Sequence, residues 1–408
     1  MIPFDPADVS LIQNPYPIYA ALRRDEPLHW AKDGYWVATR FDDVREVLIG
    51  KPYGQGDFVS NISLFYGDGF DVMANSAYAW LSRVFVMQDP PDHTRLRGLI
   101  AGALSLKRIR AMEPSVQRLA DQLLDRFYRL GEADFITEFA YRFPTLVMCD
   151  MLGLGEDEYS DDLLLALNQA IADSFVVFET RALDSATLEQ ANRQTDFLTQ
   201  FFDELFERRR RHPKDDLTTA LVHAEFEGES LSPEELSTSV IGLFGAGFET
   251  TAHMIGNGMG CLGRFAHERH RLIADPSLAA ATAEEVLRFE SPLQATYRTA
   301  FSDQSIAGQT VKAGQRVLAI VAAANRDANA FNNPEVFDIS PRATKPLTFG
   351  GGIHYCVGAE LARMEGRVFF ETLARRFPNF RVDLDNSVLR PAYLFRGYQA
   401  LPVSLDGS

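Results

Sequence analysis

The chain has 408 residues, 46% of them hydrophobic and 24% charged, with a formal net charge of −16. That balance suits an enzyme with a large buried core, and the length admits one domain or two. The acidic total excludes a general affinity for nucleic acid, which needs a basic surface to displace counterions, yet it permits one local basic patch.

The opening residues, MIPFDPADVSLIQNPYPIYAALRRDEP, put acids and prolines where a signal peptide needs a basic head and an apolar run. No stretch approaches the apolar length of a membrane span, so a cytoplasmic protein with no membrane anchor is expected. No repeat or low-complexity linker interrupts the chain, which favours a single domain over residues 1–408. GYWVATR (34–40) alternates as a strand, and FDDVREVL after it reads as a short helix. Residues 50–92 are rich in Gly, Asn, Ser and Asp, with Phe65, Tyr66 and Trp80 among them. They are expected to form a long irregular stretch with a functional task.

From about 94 to 270 the pattern is helical. The run 192–211 ends in four arginines, Arg208 to Arg211, before Pro213; a solvated helix end offsetting the macrodipole is expected there in preference to a nucleic-acid or partner patch. At Ser232-Pro-Glu-Glu235 a serine N-cap, a proline at the first helical position and a capping-box glutamate open the clearest helix. It continues through STSVIGLFGAGFETTAHMIGNGMGCLGRF, apolar on nearly all sides and therefore buried. Gly242, Gly245 and Gly247 weaken it by about 1 kcal/mol each relative to alanine, but small residues let a bulky cofactor lie against the backbone. Residues 298–321 read as strands and turns, 325–348 as a Pro/Asn-rich meander, and about 357–376 as a last helix. The fold class is mainly α with a smaller β region.

Cys149, Cys261 and Cys356 stand far apart, so neither a disulfide framework nor a cysteine-rich zinc site is expected. Cys356 lies in Phe349-Gly-Gly-Gly-Ile-His-Tyr-Cys356-Val-Gly358, just before a helix. Unpaired N–H groups and the positive end of the helix dipole favour the thiolate there, the form that binds metal. Cys149 and Cys261 read as small core residues.

The pattern Phe349-x-x-Gly352-x-His354-x-Cys356-x-Gly358 resembles the haem-binding signature of the cytochrome P450 family. Glu285-Val-Leu-Arg288 resembles the family's Glu-x-x-Arg motif, and Ala246-Gly247-Phe248-Glu249-Thr250 its oxygen-activation motif. Asp92-His93-Thr94-Arg95-Leu96-Arg97 resembles the helix that contacts haem propionates in soluble bacterial members. Four motifs in the family's order span essentially the whole chain. The resemblance implies haem b between a long central helix and the cysteine-loop helix.

It further implies that Cys356 is the axial metal ligand, pushing electron density onto iron to favour O–O cleavage. N–H groups near Val357 and Gly358 would tune its sulfur. His93, Arg97, Arg298 and His354 match propionate-binding positions, a task that suits bidentate arginine. Phe349, Gly358 and Ala246 complete the cofactor contacts. Glu249 and Thr250 match the acid–alcohol pair that delivers protons during oxygen activation, although Thr250 could also bond back to a carbonyl one turn earlier. Glu285 and Arg288 would be structural, holding the cysteine loop through the meander by way of Arg326.

The expected activity is a monooxygenase acting on a hydrophobic small molecule by hydroxylation or epoxidation. The alternatives are a peroxide-driven or oxidative-coupling haem-thiolate enzyme and a non-enzymatic haem sensor or carrier. Family position assigns the pocket to residues 60–88, Phe175 to Phe178, Phe244, Ala246, Leu293 to Thr296, and Leu394 to Phe395. The protein is expected to be a monomer that takes electrons from a separate ferredoxin and its reductase. Lys107, Arg108, Arg110 and Arg363 are candidate docking cations.

Overall fold

The computed structural model describes all residues except 1, 68, 156, 157, 180, 407 and 408. Its contacts divide into two interleaved units. One comprises Met1–Gly54, Val116–Phe143 and Thr250–Ser408, the other Gln55–Ser115 and Pro144–Glu249.

The first unit holds a five-stranded sheet made of β1 (Leu28–Trp30), β2 (Trp36–Ala38), β3 (Tyr53–Gly54), β4 (Thr296–Ala300) and β5 (Arg316–Ala319). Its order is β1-β2-β5-β4-β3, with β2 and β5 the parallel pair. Helix α1 (Phe41–Ile49) buries Val44, Val47 and Leu48 in a core shared with Ala300, Val317 and Ala319. The alternation at 34–40 and the amphipathic run after it thus form the strand and helix their patterning demands. In the β4–β5 register Arg298 stands opposite Val317.

A helical layer completes this unit. Phe135 and Phe139 pack on Phe369 of the helix Ala359–Arg376 with ring centroids 5.7 and 5.1 Å apart. At Gly366 a Cβ would come within 2.9 Å of both Ala283 and Met254, so the missing side chain lets three helices converge.

In the second unit, helix α2 (Asp92–Ala103) meets the hairpin at 225–230, with Gly98 under the Phe226 ring. The stretch at 50–92 is more ordered than its composition suggests, containing the helices Phe58–Tyr66 and Ser76–Arg83. Asp57 caps the first by accepting from the Ser60 N–H. The second buries Ala77, Tyr78, Trp80 and Leu81. Turn-forming residues that looked like loop are helix caps here.

The arginine run also differs from expectation. Arg208, Arg210 and Arg211 are exposed, but Arg209 is 2% exposed and pairs with Asp216 at 2.6 Å. It also donates to the Gly153 carbonyl. One residue of the four faces inward because helical periodicity turns it there.

Helix α3 (Pro233–Arg264) runs its first half in the second unit and its second half in the first. Its capping box is formed both ways: Ser232 N–H donates to Glu235 Oε2 at 2.9 Å, and Glu235 N–H to Ser232 Oγ at 3.1 Å. Among the described residues, no helix is long and apolar enough to cross a membrane.

Candidate active site

The cysteine loop is closed by its own backbone. Cys356 N–H donates to the Phe349 carbonyl at 2.9 Å, and Ala359 N–H reaches the Cys356 carbonyl at 3.4 Å. Gly350 and Gly352 take φ values of +70° and +61°, conformations that a side chain would strain. At Gly352 a Cβ would also sit 3.1 Å from the Leu48 carbonyl at the end of α1. Two helices frame this loop in the chain, α4 (Ala279–Phe289) well before it and α5 (Ala359–Arg376) directly after it, so that Cys356 stands at the N-terminus of α5.

Cys356 is exposed, whereas Cys149 and Cys261 are buried. Burial pushes the Cys149 thiol up to about 12 and raises that of Cys261 well above the usual range, so neither supplies a thiolate.

Arg363, one turn into α5, stakes the flanks of this loop. Its Nη1 donates to the Tyr355 hydroxyl at 3.0 Å, and its guanidinium lies 4.5 Å from the centre of the Phe349 ring. Its Nε bonds Glu284 on α4. Arg363 therefore braces the loop from α5.

The Glu285–Arg288 pair braces the same loop from behind. Arg288 Nε and Nη2 donate to the two Glu285 oxygens at 2.8 and 2.7 Å. Its remaining donors reach the carbonyls of Asn325, Pro334 and Val336 at 3.0, 2.8 and 3.0 Å. Asn325 in turn accepts from Leu347 N–H at 2.8 Å and donates to Thr348 Oγ1 at 2.9 Å, immediately before Phe349. The connection runs through Asn325 and not through Arg326, which instead serves the Phe289 carbonyl and Glu335.

The remaining predicted residues stand at four places in the fold. His93, 2% exposed, and half-buried Arg97 stand one turn apart on α2, on one face. Arg298 is buried on β4, donating to the Tyr297 carbonyl at 2.7 Å. His354 and Gly358 flank Cys356 in its loop, and both are half-buried.

Ala246, Glu249 and Thr250 share one turn of α3. Here Ala246 is exposed and Gly247 and Thr250 are half-buried, while Phe244, Gly245, Phe248 and Glu249 are buried. The bare side of an otherwise buried helix can receive a flat group, with an acid and a hydroxyl adjacent to it.

Sequence reasoning missed Glu365 on α5. It is 1% exposed, and burial alone raises its carboxyl well above the usual carboxylate range. The signal was its spacing of four from both Leu361 and Phe369, which puts it on the apolar face of α5.

Among the described residues, no three His, Cys, Asp or Glu side chains gather as a metal cage. A lone protein thiolate suits iron whose other protein ligands are replaced by a macrocycle. That donor set fits haem.

The chain matches the family model described as Cytochrome P450 over residues 57–267 and 263–391. It is 35% identical to the Vitamin D(3) 25-hydroxylase of Pseudonocardia autotrophica, over 96% of this chain and 94% of that protein. Similarity to the polyketide biosynthesis cytochrome P450 PksS of Bacillus subtilis is 31% over 99% and 98% of the two chains. Among solved structures, P450BioI in complex with an acyl carrier protein bearing hexadec-9Z-enoic acid superposes with a TM-score of 0.88. That match has 29% identity and covers 97% and 99% of the two chains. CalO2 gives 0.89 at 28% identity with both chains covered in full.

Proposed function

This chain belongs to the cytochrome P450 family, and from that premise we propose that it inserts one atom of dioxygen into a hydrophobic small molecule, by hydroxylation or epoxidation. Family membership makes it a haem b oxidoreductase of the monooxygenase type. Within this proposal, electrons come from a separate ferredoxin and its reductase.

The observation that carries the reading is the accessible Cys356 at the head of α5, in a loop held by backbone bonds and by Arg363. Bound haem supplies the activation of dioxygen and the oxidising power. Cys356 would hold the iron as its thiolate ligand, the negative charge favoured by the N-terminus of α5. By the family pattern, His93, Arg97, Arg298 and His354 would hold the propionates, and Phe349, Gly358 and Ala246 would pack against the macrocycle.

Glu249 would hold a proton inside the protein and give it to Thr250 Oγ1, whose own hydroxyl proton would pass on to dioxygen. This acid–alcohol pair favours use of dioxygen over peroxide, which arrives with its protons already attached. The apolar residues assigned to the pocket exclude water and bind the hydrophobic substrate. Residue 68, within the 60–88 segment of that assignment, lies outside the described residues.

The test is spectroscopic. Reduced protein under carbon monoxide should show the red-shifted Soret band of thiolate ligation, and Cys356→Ser should abolish it. A haem-loaded wild type without that band refutes the reading.

The likeness to P450BioI in complex with a loaded acyl carrier protein supports a second reading, in which the substrate arrives tethered to such a carrier. A spin-state shift with hexadecenoyl carrier protein, but none with free hexadecenoic acid, would favour it.

A further inference from the structure

Beyond Thr250, α3 carries residues 253, 257 and 260 at the four- and three-residue intervals that align along one helix face. All three meet one segment, the hairpin in which Val388–Leu389 pairs with Tyr398–Ala400. Buried His253 sets its Nε2 2.6 Å from Arg390 Nη1. Arginine has only donors, so this nitrogen accepts and the ring proton belongs to Nδ1. The imidazole also lies so close to Gly397 that a Cβ there would overlap it.

One turn further, Asn257 Nδ2 donates to the carbonyls of Glu290 and Arg396, both at 3.0 Å. At Gly260 the absent side chain admits the Tyr398 ring.

The same hairpin bonds the chain on its other side. Gln294 N–H donates to the Leu394 carbonyl at 2.9 Å and Arg396 N–H to the Pro292 carbonyl at 2.8 Å. Leu293 and Phe395 face each other in an antiparallel bridge. Helix α3, the hairpin tip and residues 290–296 therefore form one hydrogen-bonded block. A short two-stranded hairpin is marginal by itself, so its tip depends on these anchors.

We propose that His253 and Asn257 are positioning residues that decide which carbon of the substrate is oxidised. They do so by seating the hairpin tip on α3, which sets residues 394–395 and 293–296 in register with Thr250. The inference rests on the proposed function, which assigns those two segments to the substrate pocket. His253 is three residues from Thr250, about 4.5 Å of helix rise, so a shift at the tip changes how substrate is presented to that hydroxyl. Neither side chain touches the reacting atoms.

The test uses the haem-loaded enzyme as wild type, His253→Phe, which keeps a ring against Gly397 but removes the acceptor, and His253→Gln, which restores one. The probe is dodecanoic acid, whose many similar carbons report presentation; testosterone replaces it if it gives no spin-state shift. In His253→Phe, the ratio of the main to the next hydroxylated position should change by roughly threefold or more. Amide exchange should rise roughly tenfold in 292–296 and 390–398 together, while the reduced carbon monoxide spectrum and exchange in 349–358 stay as in wild type. His253→Gln should return both readouts toward wild type, which a merely space-filling role would not produce. A wild type lacking the thiolate spectrum refutes the family-based function itself. With that spectrum present, an unchanged product pattern, or faster exchange confined to 390–398, overturns the positioning role.

Discussion

Replacing Arg288 by methionine keeps much of the side-chain volume and removes five hydrogen bonds, three of them fully buried. Breaking a buried ion pair from one side costs about 3–5 kcal/mol. The lower end applies here, because Glu285 retains Arg342 Nε at 3.1 Å and the Asp338 N–H at 2.9 Å. The carbonyls of Asn325, Pro334 and Val336 lose a donor, adding about 1 kcal/mol apiece. The total, about 6 kcal/mol, is a large share of the 5–15 kcal/mol that stabilises an ordinary domain. Arg288→Lys should fall between, since three ammonium donors cannot serve five partners. Urea unfolding, followed by far-ultraviolet dichroism and by the Soret band, should show Arg288→Met losing haem and folding together at much lower denaturant. Adding Glu285→Gln should recover part of the loss by removing a buried charge that Arg342 alone then offsets. A loss below about 1 kcal/mol in Arg288→Met would refute the account of this network.

Gly258→Ala should lower the melting temperature, because its Cβ would overlap buried Phe370 and approach Val286; overpacking of about 1–3 kcal/mol exceeds the helix-propensity gain of about 1 kcal/mol. A raised melting temperature would show that Phe370 yields freely. Glu365 has its carboxyl raised by burial, so the folded state keeps a proton that the unfolded state releases. Stability should therefore fall as pH climbs above the unfolded carboxyl value of about 4.3. Glu365→Gln should flatten that part of the curve, and parallel curves for the two proteins would contradict the assignment. Thr250→Ala should leave the carbon monoxide spectrum intact while dioxygen consumption outruns product formation; unchanged coupling removes Thr250 from the proton path.

Local chemistry was readable along the chain wherever one segment contains the whole cause. The Ser232–Glu235 box starts a helix because donor and acceptor lie three residues apart, and the glycines before Cys356 permit the turn that presents it. The proposed metal ligand and the proposed acid–alcohol pair rest on such segments combined with the family pattern.

Composition misled where a residue's partner lies elsewhere. Asn75 looked like a loop former and stands instead at a helix start, its Oδ1 accepting from Asn192 Nδ2. Arg209 looked solvated and is buried against Asp216. Arg326 looked like the link to the meander, but Arg288 reaches the cysteine loop through Asn325.

What tertiary structure alone decided is which polar groups share a desolvated place. Nothing local marks His253 as the acceptor for Arg390, 137 positions away, or Glu365 as a neutral acid. Hydrogen bonding and burial depend on distance in space, and the folding of remote segments sets that distance. The sequence determined what chemistry Cys356 can do; the packing decided what holds it in place.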